Sequence, residues 1–303
     1  MQTNTANPLL CDITTGMCEL PDSTASENGP TPVAKKAVKL IYYTDPICST
    51  CWGIEPQLRK LKLEYGHSFE VEYRMGGLLP DWSYNSGGIS KPSDVAHHWD
   101  EVSQYYDMPI DGDVWLEDPL SSSYPASIAF KAAQLQGDDK ALLFLREIRE
   151  QVFLRKKNIA KWDNLLEAAR TVGLNLDTFT ADYQGKAQEL FQQDLALGRQ
   201  LGVRGFPTMF FVDEAGNQEK VYGFKPYAEF EKALRKQQPS ALKTVFATDW
   251  QPLFATYHTL TSREFAELSG MNRKEVDSYL QQLADSGKLA KLTTKNGFLW
   301  IRQ

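Results

Sequence analysis

The tightest constraint on this 303-residue chain is a junction near its start. The run Val38-Lys39-Leu40-Ile41-Tyr42-Tyr43 reaches the turn formers Asp45-Pro46 and is followed at once by Cys48-Ser49-Thr50-Cys51. A short β-branched and aromatic run predicts a buried strand, and Trp52, Leu58, Leu61 and Tyr65 at helical spacing predict a helix over 49–65 that Gly66 stops. Two cysteines therefore straddle a helix start. Unpaired N–H groups and the helix dipole at such an end favour thiolate, so Cys48 is expected to attack and to titrate well below the ~8.5 of a free cysteine. Cys51, one turn further on, suits a resolving role. The chemistry this pattern points to is thiol–disulfide exchange.

Downstream, the order is α/β with a helical insertion. Phe69, Val71, Tyr73 and Met75 alternate with charged neighbours and predict a second strand. A Gly-rich loop over 76–88 precedes candidate helices at 124–136, 140–156, 162–172 and 184–201, with Gly137 and Gly173 as stops. Gly205-Phe206-Pro207-Thr208 turns into a strand at 209–212, paired through a hairpin with 219–222, and a helix at 227–236 ends the unit. Past a linker at 237–240, Thr261 with Glu264 and Asn272 with Glu275 are helix caps, and Asn296-Gly297 is a type I′ signal between strands at 291–295 and 298–302. Two helices and a hairpin resemble a winged helix-turn-helix module.

Together these positions resemble the thioredoxin superfamily, in its DsbA-like branch and the FrnE-like cytoplasmic subgroup. Pro56 stands five residues after Cys51, where active-site helices of that fold carry a kinking proline, and Phe206-Pro207-Thr208 looks like the cis-proline segment facing the cysteines. Residues 42–53, Met75-Gly76-Gly77-Leu78, Ser122-Ser123-Tyr124-Pro125-Ala126 and the helices up to Tyr183 look like the branch with its insertion. The resemblance covers about residues 38–236 and implies a thioredoxin-like domain from 36–75 and 186–238 with a helical insertion at 76–185. It leaves both ends unexplained, and these read from their own composition and pattern as a flexible arm at 1–35, rich in Thr, Asn, Ser, Asp and Pro, and a winged-helix-like domain at 245–303.

It also implies a protein thiol–disulfide oxidoreductase or isomerase acting on protein or peptide thiols and disulfides without an organic cofactor. Cys48, Cys51 and a cis Pro207 would be catalytic, with Trp52, Phe206 and Thr208 meeting the substrate. Ser49-Thr50 departs from the strongly oxidising Pro-His type, so a couple between about −270 and −120 mV is expected. Two rival readings are a redox-sensing, client-binding adaptor for a protease and a redox-controlled DNA-binding protein.

Cys11 and Cys18 stay open among three roles: a second redox pair, half of a zinc site, or none. Adjacent His97 and His98 do not share a helix face and read as solvated or packing residues rather than metal ligands. Trp82, Trp99 and Trp115 read mainly as packing residues, and Trp52 as part of the site. With 33 Lys plus Arg against 39 Asp plus Glu, a nucleic-acid-coating protein is excluded. From Asp249 on, seven basic side chains against six acidic ones make a weak field for phosphate, which disfavours DNA. No apolar stretch approaches the roughly 18–20 residues of a membrane span. Asp12, Glu19, Asp22 and Glu27 precede the first basic residue, Lys35, the reverse of a secretory leader, so a cytoplasmic location is expected.

Overall fold

The computed structural model describes residues 36–83 and 89–303, with the backbone of two short strands nearer the start. The chain divides into two compact units, Met1–Lys35 and Lys36–Gln303. In the first, β1 (Cys11–Asp12) pairs antiparallel with β2 (Met17–Cys18), and Cys11 stands opposite Cys18. The rest of the expected arm, the side chains of Cys11 and Cys18, and residues 84–88 of the Gly-rich loop lie outside the described residues.

The second unit is built on β3 (Val38–Thr44), flanked in a sheet of order β4–β3–β5–β6 by β4 (Phe69–Met75), β5 (Thr208–Val212) and β6 (Gln218–Tyr222). β4 runs parallel to β3, which a helical crossover permits, whereas β5 and β6 add antiparallel. Successive residues of β3 serve opposite faces. Tyr42 meets the ring of its register partner Tyr73 at 5.4 Å. Tyr43, on the other face, donates its hydroxyl to the Asp194 carbonyl at 3.1 Å.

The expected crossover helix is two helices, α1 (Ser49–Gly53) and α2 (Glu55–Tyr65), divided at Ile54. Pro56 has no N–H to offer the Trp52 carbonyl, so the first helix ends there and a second starts. Between β4 and β5 lie α3 (Pro92–Tyr106), α4 (Val114–Glu117), α5 (Tyr124–Gln134), α6 (Asp138–Leu154), α7 (Trp162–Thr171), α8 (Leu176–Gln184) and α9 (Lys186–Gln200); α10 (Tyr227–Gln237) follows β6. The thioredoxin-like α/β fold with extra helices is thus as expected. α3, α4 and α8 were not foreseen. α8 starts where the Asn175 side chain accepts the Thr178 N–H at 2.9 Å, a cap with no apolar run behind it to flag it.

Beyond α10 come α11 (Trp250–Thr256), β7 (Thr259–Thr261), α12 (Ser262–Ser269), α13 (Arg273–Asp285), β8 (Leu289–Thr294) and β9 (Gly297–Arg302), the strands ordered β7–β9–β8. Phe254, Leu260, Phe265, Val276, Leu280 and Trp300 form their own buried cluster. The Thr261–Glu264 capping box forms as the sequence predicts. The hairpin does not: Thr294 pairs with Gly297, so the turn residues are Lys295 and Asn296, and neither has the positive φ that type I′ demands. Both tip residues are held by the body instead. Lys295 Nζ reaches Asp100 at 2.6 Å and Asp113 at 2.7 Å, and Asn296 donates to the Ile110 carbonyl at 2.7 Å.

A buried ionic cluster ties this segment to the rest. The fully buried Glu264 carboxylate accepts both ends of the Arg146 guanidinium, at 2.8 and 3.0 Å, and meets Arg59 at 3.2 Å. Burial opposes its ionisation, and the charges of Arg146 and Arg59 outweigh burial, holding the carboxyl below its ordinary range. The stability this contributes is present above the ordinary carboxylate pKa and is lost as pH falls through the lower folded value. Glu264→Ala takes from two buried guanidiniums the carboxylate they share, leaving Arg146 to Glu150 and Arg59 to Glu55, and is expected to cost about 3 kcal/mol. Urea denaturation at pH 7 checks this; a loss below about 1 kcal/mol, the size of an exposed ion pair, contradicts it.

Candidate functional site

The site forms where β3 runs out. Past Thr44, the Asp45 side chain takes the Ile47 N–H at 3.0 Å, and the chain turns into Cys48, the N-cap of α1. Cys48 is extended (φ −75°, ψ 106°), and its Sγ accepts the Cys51 N–H at 3.2 Å. Neither sulfur is in a disulfide. Cys48 is 5 % exposed and Cys51 is not exposed at all. Phe206–Pro207 is the cis peptide bond that the resemblance implied. β5 begins right after it, with Thr208 opposite Tyr43, and this pairing sets Phe206 beside the cysteine turn.

Cys48, Ser49, Thr50 and Phe206 border a groove of about 260 Å³ whose other walls are Ile47, Leu78, Leu79, Trp82, Ile89, Val95, His98, Trp99 and Trp115. The tryptophans brace one another edge to face, Trp115 meeting Trp82 at 5.9 Å and Trp99 at 5.2 Å. An apolar trough with a thiol and two hydroxyl-bearing residues on one bank suits an extended peptide carrying a large apolar side chain.

The structure brings Cys48 and Phe206 to one groove, with Cys51 bonded to Cys48 through its N–H and Pro207 following Phe206 through the cis bond. It does not bring Trp52 or Thr208 to the groove. Trp52 is wholly buried; its Nε1 donates to the Pro109 carbonyl at 3.1 Å, and its ring stacks on Phe153 at 5.5 Å under the Arg146 guanidinium. One residue past Cys51 on a helix, it points into the core. Thr208 is buried too, and its hydroxyl closes the turn by donating to the Gly205 carbonyl at 2.7 Å. The groove tryptophans are the three that the sequence reads as packing. His98 reaches the rim, and His97 pairs with Glu101 in solvent. Among the described residues no group of three or more His, Cys, Asp and Glu side chains is placed to hold a metal.

Two buried residues went unnoticed in the sequence. Arg149 lies behind the cysteines and donates to Glu55 at 2.6 Å and to the Thr44 hydroxyl at 2.6 Å. Asp45, which reads as a turn former, is a three-way tie: it also takes the Leu78 N–H at 2.7 Å and the Ser123 hydroxyl at 2.9 Å. It thereby joins the cysteine turn to the groove's opposite wall.

The two thiols share a proton unevenly. Burial pushes the Cys48 thiol up, and Cys51 adds to this through its hydrogen bond and charge, against the pull of the Cys51 N–H. For Cys51, burial is outweighed by the Cys48 hydrogen bond, the Arg149 charge and Thr44, which hold it below the ordinary thiol range. The helix N-terminus is there, but it does not overcome desolvation at Cys48. Burial thus raises the sulfur at the groove, and a thiolate on either sulfur leans on the S–H of the other, so the two titrate as a pair.

A sequence model of the thioredoxin family matches residues 42–232. Over 97 % of both chains, the protein is 33 % identical to the ClpXP adapter protein SpxH of Halalkalibacterium halodurans. The protein of the same name from Bacillus subtilis is 31 % identical over 88 % of this chain and 89 % of its own. Among solved structures, the cytosolic disulfide reductase DsbM of Pseudomonas aeruginosa superposes with a TM-score of 0.54 at 24 % identity, covering 65 % of this chain and 99 % of its own, a likeness of fold alone. These relatives correct the expected DsbA-like, FrnE-like assignment and, with it, the expected oxidoreductase or isomerase: the proteins that match along the whole chain carry an adapter's name.

Burial raises the Asp45 carboxyl to about 6, against the Leu78 and Ile47 N–H groups, the Ser123 hydroxyl and the Arg149 charge. A carboxyl raised on folding adds stability that is full below its unfolded value and lost as pH rises through the folded one, here about 3 kcal/mol given up between pH 4 and 7. The carboxyl ¹³C resonance of Asp45 is expected to titrate near pH 6; a midpoint at 4 or below contradicts the enclosure described.

Proposed function

Because this chain belongs to the thioredoxin family, in its SpxH branch, we propose that it is an adaptor. It holds a client polypeptide in the groove at Cys48 and Phe206 for a ClpXP-type protease. The observation that carries this reading is similarity running unbroken through the fold and the C-terminal segment alike, to relatives whose name is adapter. The groove supports it. An exchange enzyme needs an exposed attacking thiolate, and here Cys48 is only 5 % exposed and burial pushes its thiol up.

Cys48 and Cys51 then act as a sensor. A disulfide- or peroxide-class oxidant removes two electrons and, from a thiol–thiolate pair, one proton, joins the sulfurs and takes the thiolate's charge away from Arg149. Phe206 supplies backbone to the bound chain beside Pro207, and the groove tryptophans take its apolar side chains.

The winged-helix-like segment is a protein-contact module in this reading. DNA recognition has fewer cations to draw on: Arg273 is bound by Asp107 at 2.7 Å and by Asp277 at 3.1 Å, and Lys295 by Asp100 and Asp113. The clients are soluble proteins of the cytoplasm. Among the described residues no helix is long and apolar enough to cross a membrane.

Protein half-lives compared across cells lacking this chain, lacking ClpXP, or lacking both test the reading. A defined set of proteins is expected to persist longer without the chain, with no added effect once ClpXP is gone. Cys48→Ser with Cys51→Ser is expected to keep delivery and lose only its response to oxidant. Unchanged half-lives, or delivery abolished by the double substitution, overturn the proposal.

A further inference from the structure

Phe206 has a cavity on each side. One is the groove just described. The other, about 190 Å³, is walled by Tyr43, Gly76, Tyr124, Asp194 and Arg199 along with the same Phe206 ring. The ring sits so tightly on Gly76 that a Cβ there would come within 1.9 Å of it, so it is fixed as a ridge between the two hollows.

The second hollow carries one anion and one cation on its walls, Asp194 and Arg199. Asp194 is fully buried, and its carboxylate is taken up inside by Arg74 at 2.7 Å, Lys131 at 3.0 Å and the Met75 N–H at 3.0 Å. That leaves Arg199, exposed on α9, without a carboxylate partner among the described residues. The Tyr124 hydroxyl also lacks a hydrogen-bond partner among the described residues, and burial pushes its pKa up, so it stays a donor. With the Asp194 carboxylate already engaged by Arg74 and Lys131, a guanidinium and a hydroxyl facing one hollow call for a second carboxylate.

We propose that the hollow behind Phe206 is a carboxylate subsite for an Asp or Glu side chain of the client. An extended segment sets an apolar side chain in the Cys48 groove, crosses the Phe206 ridge and lays the acidic side chain against Arg199 and Tyr124. Residues i and i+2 of an extended chain share a face and stand about 7 Å apart, the breadth of one aromatic ring, so the recognised pattern is apolar-x-acidic. The occupant is a side chain within a passing chain, because the groove and the hollow lie on the two sides of one Phe206 ring and a single chain crossing it meets both. This inference rests on the adaptor reading and names the chemistry of its client.

Fluorescein-labelled, C-terminally amidated peptides containing Leu-Gly-Asp, Leu-Gly-Asn or Leu-Gly-Lys, and a free-acid peptide ending Leu-Gly-Asn, test it on the full chain by fluorescence polarisation. The Asp peptide is expected to bind about tenfold more tightly than the Asn peptide, and Arg199→Glu to reverse the order in favour of the Lys peptide. Equal binding of the Asp and Asn peptides, or a preference that Arg199→Glu leaves alone, overturns the subsite. Tight binding of the free-acid Asn peptide alone overturns it in favour of chain-end capture. In a purified ClpXP assay on a client found by half-life comparison, Arg199→Glu is expected to slow delivery about tenfold. Delivery unaffected by Arg199→Glu overturns the subsite and leaves the adaptor standing; no delivery by the unaltered chain overturns both.

Discussion

Arg149 holds the centre of this molecule. Its buried guanidinium bridges Glu55 at the start of α2 and Thr44 at the end of β3, so one cation fixes the two ends of the loop that carries both cysteines. A second buried set, Arg59 and Arg146 around Glu264, continues from the same helices into the C-terminal segment. Charges taken out of water this completely are costly unless paired, so each partner's position is dictated by the others. The arrangement of the cysteine loop, the groove wall and the C-terminal helices follows as one piece. Asp45 repeats the device on the groove side, tying the cysteine turn to Leu78 and Ser123.

This framework explains how a fold associated with exchange chemistry serves a different end. The elements of an exchange site are all present: a helix N-terminus, two cysteines and a proline segment. The balance of desolvation against dipole decides what they do. With Cys48 nearly enclosed, burial wins over the helix end and pushes its thiol up, while Cys51, not exposed at all, lies next to Arg149. What remains available to other molecules is the tryptophan-lined trough and the ridge at Phe206, which are features for holding a chain.

Much of the fold was legible in the sequence because periodicity and capping are local. The strands of the central sheet and the Thr261–Glu264 box each follow from neighbours along the chain, whereas the division of the expected 49–65 helix in two at Ile54 does not, the resemblance having implied only a kink at Pro56. The site was legible where motif spacing fixes geometry, as for Cys48, Cys51 and Pro207, and illegible where tertiary partners decide. Trp52 looked available because it follows the motif, yet its helix turns it into the core. Trp82, Trp99 and Trp115 looked structural because nothing along the chain places them around Cys48. The hairpin at Lys295 and Asn296 gave up its locally preferred turn for contacts with Asp100, Asp113 and Ile110, which only the folded body supplies. Arg149 and Asp45 carried no signal at all: an arginine within a helix and an aspartate before a proline are ordinary until the packing around them is known.

The central claim is that the sulfur at the groove is no attacking thiolate. Iodoacetamide labelling of Cys48 in the native chain, followed by mass spectrometry across a range of pH, tests it most directly. The account predicts a rate that rises with a midpoint above the ~8.5 of an ordinary thiol. A midpoint near or below 7 would show a poised nucleophile in its place, and the groove would have to be read as an exchange site after all.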